Sequence, residues 1–151
     1  MSLRPTTKAA WRFAEQLLSS ASDGRIKLYV IARTLDWRRE QPELFTVGSY
    51  LPLVVQGSLA EHACAFARQH GSGAAVVVVP RLTTNLASPR GAPPLGSAVW
   101  GETRYVLSPE VGATEWRNVF TGESVRSGPA NDFALADVFA RFPVALLRAV
   151  A

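Results

Sequence analysis

At Gly48 the hydrophobic period of this chain changes, and that switch limits the folds open to it more than any other feature. Upstream, apolar residues recur at helical spacing; downstream, they alternate or run together as they do in strands. The segment PTTKAAWRFAEQLLSSA places Ala10, Phe13, Leu17 and Leu18 on helical positions beside Trp11, with Thr6 or Thr7 as the N-cap. Ser19–Ser22 end that helix. Asp23 then caps a second helix running towards Glu40; its carboxylate suits the positive end of the dipole, and Arg38 and Arg39 suit the negative end. Pro42 lacks an N–H and disfavours a helical Gln41, which predicts the stop there.

The second helix is apolar on too many sides. It carries Ile26, Leu28, Tyr29, Val30, Ile31, Leu35 and Trp37, where a helix on the rim of a small domain needs one stripe. Ile26, Tyr29, Val30, Ile31 and Leu35 are therefore not all expected to be buried within one monomer.

After Gly48, YLPLVVQG sets Leu51, Leu53 and Val55 against Tyr50, Pro52 and Val54, a strand with Pro52 at an edge or near its start. HACAFAR alternates His62, Cys64 and Phe66 with Ala63, Ala65 and Ala67, and the alanine face implies close approach of a backbone or a large side chain. RQHGSG is a turn, so this strand pairs as a hairpin with AAVVVVP, whose continuous β-branched run predicts a central strand buried on both faces. The Pro/Gly-rich TTNLASPRGAPPLGSA is a loop, mobile or wrapped over a neighbour. Strands resume at TRYVL and at EWRNVFTGESVRS, which turns around Thr121-Gly122. LADVFARF is a short helical turn, and VALLRA is the last strand. The pattern predicts an α+β chain: two N-terminal helices, then an antiparallel β-sandwich.

With 151 residues, 48% hydrophobic and 19% charged, the chain belongs with globular proteins of one domain's size. Its net charge of +4 raises a nucleic-acid partner, but apart from Arg38-Arg39 the arginines are scattered, and none is expected. No membrane span or signal peptide is read, which makes the cytoplasm the expected location. Cys64, the sole cysteine, reads as a buried structural thiol. His62 and His70 would lie about 26 Å apart along a strand at ~3.3 Å per residue, too far to share a metal. Ser49, Ser58 and Ser97 read as turn residues without a positioned base, and the acidic residues read as solvated surface groups. No catalytic, cofactor-binding or metal residue is assigned, and no cofactor is expected. Trp100, Tyr105 and Trp116 read as core or interface residues, with a sugar-stacking platform as the alternative.

The block DGRIKLYVIARTLDWRREQPELFTVGSYLPLVVQG, followed in order by EHACAFAR, VVVVPRL, VWGETRYVL, WRNVFTGE and FARFPVALL, resembles the C-terminal end of malto-oligosyltrehalose synthases. These belong to the α-amylase-like superfamily, glycoside hydrolase family 13, and the blocks span nearly all of residues 8–148. The resemblance implies a full enzyme with a (β/α)8 barrel. That enzyme is an isomerase of trehalose biosynthesis, turning the reducing-end α-1,4 bond of a maltodextrin into an α,α-1,1 bond by intramolecular transglycosylation with retention. Its nucleophilic aspartate, acid/base glutamate and second aspartate sit upstream of the matched region, so no catalytic role passes to any residue here. By this resemblance, residues 1–45 are a helical segment from the end of the barrel and residues 46–151 a C-terminal β-sandwich domain. The chain alone is then structural and inactive, meets maltodextrin only through the absent barrel, and self-associates through its exposed barrel-facing helix surface. The alternative is a stand-alone maltooligosaccharide-binding or protein-interaction β-domain.

Overall fold

A computed structural model of the chain describes residues 7–86, 91–113 and 115–150. Helices α1 (Thr7–Ser19) and α2 (Arg25–Glu40) form where the 3.6-residue period predicts them. Thr6 lies outside the described residues, and Thr7 is already the first residue of α1. The residue preceding α2 is Gly24, at φ 80°, and Asp23 sits one position further out in a 3-10 turn. Its carboxylate still meets an orphan donor of the first turn, accepting the Arg25 backbone N–H at 2.9 Å and Arg25 Nε at 2.8 Å. Arg38 and Arg39 occupy the last turn, and Gln41 leaves the helical region at φ −130°. Pro42 ends α2 and also opens a short α3 (Pro42–Thr46), a helix the period does not reveal. Proline suits a first helical position, where its missing N–H has no partner to lose. At Gly48 the chain turns from helix to sheet so tightly that a Cβ would run into the Leu44 carbonyl, which makes glycine a requirement there.

The strands are β1 (Ser49–Gln56), β2 (Ala63–His70), β3 (Gly73–Pro80), β4 (Arg104–Val106), β5 (Glu115–Asn118), β6 (Ser124–Arg126), β7 (Asp132–Ala134) and β8 (Ala145–Ala149). Helices α4 (Gly96–Trp100) and α5 (Leu135–Val138) lie among them. Every pairing is antiparallel. The β2–β3 hairpin runs from Ala63 opposite Pro80 to His70 opposite Gly73, with Gly71 at φ 56° in the turn. Pro52 sits in the half of β1 that pairs with β2 alone, so that half of the strand has one unpaired edge, the setting in which a strand proline is tolerated.

The expected two-sheet sandwich is corrected: among the described residues the strands form a single eight-stranded sheet in the order β6-β5-β8-β3-β2-β1-β4-β7. The reason lies in β1. Its residues 49–53 pair with β2 and its residues 54–56 with β4, so one strand carries the hydrogen-bond ladder around the corner. The sheet coils until Phe133 of β7 meets Trp116 of β5 edge-to-face, with ring centroids 6.4 Å apart, giving a nearly closed, barrel-like shape. The mixed α+β class holds.

Two cores result. The inner one gathers Val76, Val78, Trp100, Tyr105, Trp116, Phe133 and Leu147 against the small Ala63, Ala65 and Ala67 of β2. The outer one lies between the helices and the other face of the sheet, around Ala14, Trp37, Leu44, Ala75, Phe120, Phe142 and Leu146. β3 is indeed central and contributes to both cores. Because the alanine side of β2 faces the inner core, Cys64 points the other way and is exposed; the buried-thiol expectation is overturned.

Candidate interaction surface

Helix α2 has two apolar faces with different fates. Its inner face holds Ile26, Tyr29, Val30 and Trp37 against the outer core. Two polar contacts pin it to the β5–β6 turn: the Tyr29 hydroxyl donates to the Phe120 carbonyl at 2.6 Å, and Arg33 Nη2 donates to the Val119 carbonyl at 3.4 Å. Trp37 packs edge-to-face on Phe45, with centroids 5.2 Å apart. The outer face presents Leu28, Ile31 and Leu35, spaced i, i+3, i+7 and therefore in line along ~10 Å of helix. They are 68%, 48% and 43% exposed. As expected, the apolar residues of this helix are not all buried in the monomer. Lys27, Arg38 and Arg39 lie around the stripe, and Arg39 pairs with Asp36 at 3.4 Å.

The aromatic residues that offered a platform are core. Trp100, Tyr105 and Trp116 are all fully buried. The indole N–H of Trp100 donates to the Pro94 carbonyl at 2.8 Å and that of Trp116 to the Ala113 carbonyl at 3.0 Å, while Tyr105 stacks on Phe133 with the rings 5.0 Å apart. No face of them is open to a sugar ring, so the platform is ruled out. Large, apolar rings on alternating strand positions are taken inward by the coiling of the sheet.

The histidines are held at opposite ends of β2: His62 is buried just before it, and His70 lies 3.6 Å from Glu43 at its end. Among the described residues no group of His, Cys, Asp and Glu is arranged to hold a metal ion. Ser49 begins β1 and Ser97 lies in α4, not in turns as expected. Three acids are half-buried in ion pairs rather than solvated: Glu115 with Arg126 at 3.4 Å, Glu123 with Arg141 at 2.7 Å, and Asp132 with Arg104 at 3.1 Å. No helix among the described residues is long and apolar enough to cross a membrane.

The Tyr105 hydroxyl escapes sequence reading altogether. It is buried with no hydrogen-bond partner among the described residues, and burial pushes the phenol far above its ordinary 10.0. Tyr105→Phe removes an orphaned polar group while keeping the stacked ring, and is expected to stabilise the chain by about 1 kcal/mol. Above pH 10 the unfolded chain releases the phenolic proton while the folded chain holds it, so stability is intact below pH 10 and falls as pH rises beyond it. Thermal melts of Tyr105→Phe should show a higher midpoint at neutral pH and a shallower alkaline decline. The remaining slope is expected from Tyr29, also raised by burial.

No family model matches the chain, and no curated protein matches it. Among solved structures it is similar to a mutant of maltooligosyltrehalose synthase from Arthrobacter ramosus, with 31% sequence identity and a TM-score of 0.60. The similarity covers 97% of this chain but 17% of that one, so the chain spans about a sixth of its neighbour's length.

Proposed function

We propose that this chain is a structural portion of a maltooligosyltrehalose synthase, corresponding to the C-terminal end of that enzyme. The similarity to the Arthrobacter ramosus protein over 97% of this chain carries the reading. The helical segment of residues 1–45 continues the catalytic barrel, and residues 46–151 form the C-terminal β domain. The bare stripe of Leu28, Ile31 and Leu35 supports this, because an apolar helix face left open on one portion of a larger protein is the natural place for the rest to pack. The whole protein isomerises the reducing end of cytoplasmic maltodextrins to a trehalose terminus, and the sugar meets the barrel rather than this chain. Left uncovered, the same stripe draws two copies of the chain together.

Incubated alone with maltopentaose, the chain is expected to yield no trehalose-terminated product by chromatography. Sustained turnover by the isolated chain would overturn the assignment of a structural role.

A further inference from the structure

We infer that the outer face of the sheet carries an oxyanion site centred on Arg117 of β5. Residues directly opposite on antiparallel strands share a face, with Cβ atoms about 4.5–5.5 Å apart. Ser124, Arg117 and Arg148 form one such row across β6, β5 and β8. Their strand neighbours Trp116, Val125 and Leu147 belong to the inner core, so the row lies on the opposite face.

Within this row Arg117 has a buried Nε with no partner among the described residues. A buried N–H left unmade carries its full desolvation cost, so such a group points to a missing acceptor. Two nearby carboxylates are committed elsewhere. Glu115, the next outward residue on β5, binds Arg126 at 3.4 Å, and Glu123 binds Arg141 at 2.7 Å. A further cation, Arg33 of α2, reaches the Val119 carbonyl two residues beyond Arg117. The row is open at one end, because Ser124 is exposed on the edge strand β6.

The acceptor that fits is an oxyanion, phosphate or carboxylate, gripped by the planar fork of Arg117, with Arg148 adding charge and the Ser124 hydroxyl a further donor. The inference stands independently of the role proposed for the chain, since it needs only this chain's own sheet.

The test is the thermal midpoint of the 151-residue chain titrated with sodium phosphate and, separately, sodium acetate, each against sodium chloride at equal ionic strength. A midpoint that rises and saturates with phosphate assigns a phosphate-type ligand; one that does so with acetate assigns a carboxylate. Arg117→Gln should weaken the responding anion about tenfold or more, the loss expected for one charge-assisted hydrogen bond. If that variant fails to fold, Arg117→Lys, which keeps the charge and loses the fork, should weaken binding in the same direction. The absence of a saturable shift with either anion, or an equal shift in the folded Arg117 variant, overturns the site.

Discussion

Trp116→Ala is expected to destabilise the chain by about 3–5 kcal/mol, the range for deleting a large buried aromatic. The side chain is fully buried in the inner core, its N–H is spent on the Ala113 carbonyl, and its ring closes the coiled sheet against Phe133. Truncation therefore loses transfer free energy, opens a cavity and removes the contact that brings β5 and β7 together. Against a total stability of order 5–15 kcal/mol, that is a large share. At about 2–4 °C per kcal/mol for a chain of this size, the thermal midpoint should fall by roughly 6–20 °C. Val54→Ala, at an exposed position of β1, should stay within about 0.5 kcal/mol. A Trp116→Ala variant that melts like the parent would mean the ring is not in the core, and would reopen a role for it on the surface.

Charging the outer stripe of α2 should have the opposite signature. Leu28→Glu, Ile31→Glu and Leu35→Glu together replace side chains that are 43–68% exposed, so the fold has little to lose. Circular dichroism and the thermal midpoint of the triple variant should stay close to the parent. The same substitutions place three carboxylates where the rest of a larger enzyme is proposed to pack, and burying unpaired charge there is costly. Association through this face should be lost, whether with the remainder of the enzyme or with a second copy. Large destabilisation of the isolated variant would show that the stripe belongs to the chain's own core.

Local structure was legible where a single element carried its own signal. The helical period, the hairpin turn at Gly71 and the valine run of β3 all read correctly, because each depends on spacing and turn chemistry within a few residues. The surplus of apolar residues on α2 was also readable, since no single face of a helix could hold Ile26, Tyr29, Ile31 and Leu35 together. Closure of the sheet was not. It rests on β1 changing partners between Leu53 and Val54 and on β8 inserting between β3 and β5, both long-range choices without a local mark. β7, three residues long, offers too little alternation to register as a strand. Cys64 and its alanine neighbours showed the right alternation, and the alanine face does meet large side chains, but the thiol expected inside is exposed on the other face. A row such as Ser124, Arg117 and Arg148 appears only once strands distant in sequence are placed in register.

The most direct test of the proposed role is a chimera in which this chain replaces the matching 17% of the Arthrobacter ramosus enzyme. Conversion of maltopentaose to a trehalose-terminated product is then measured with and without the three α2 substitutions. The account predicts that the folded chimera converts maltopentaose and that the triple variant loses at least about tenfold of that activity, a floor of about 1.4 kcal/mol that lies below the roughly 3–5 kcal/mol cost of one buried unpaired charge. A folded chimera without activity, or one whose activity is untouched by charges on Leu28, Ile31 and Leu35, would contradict it.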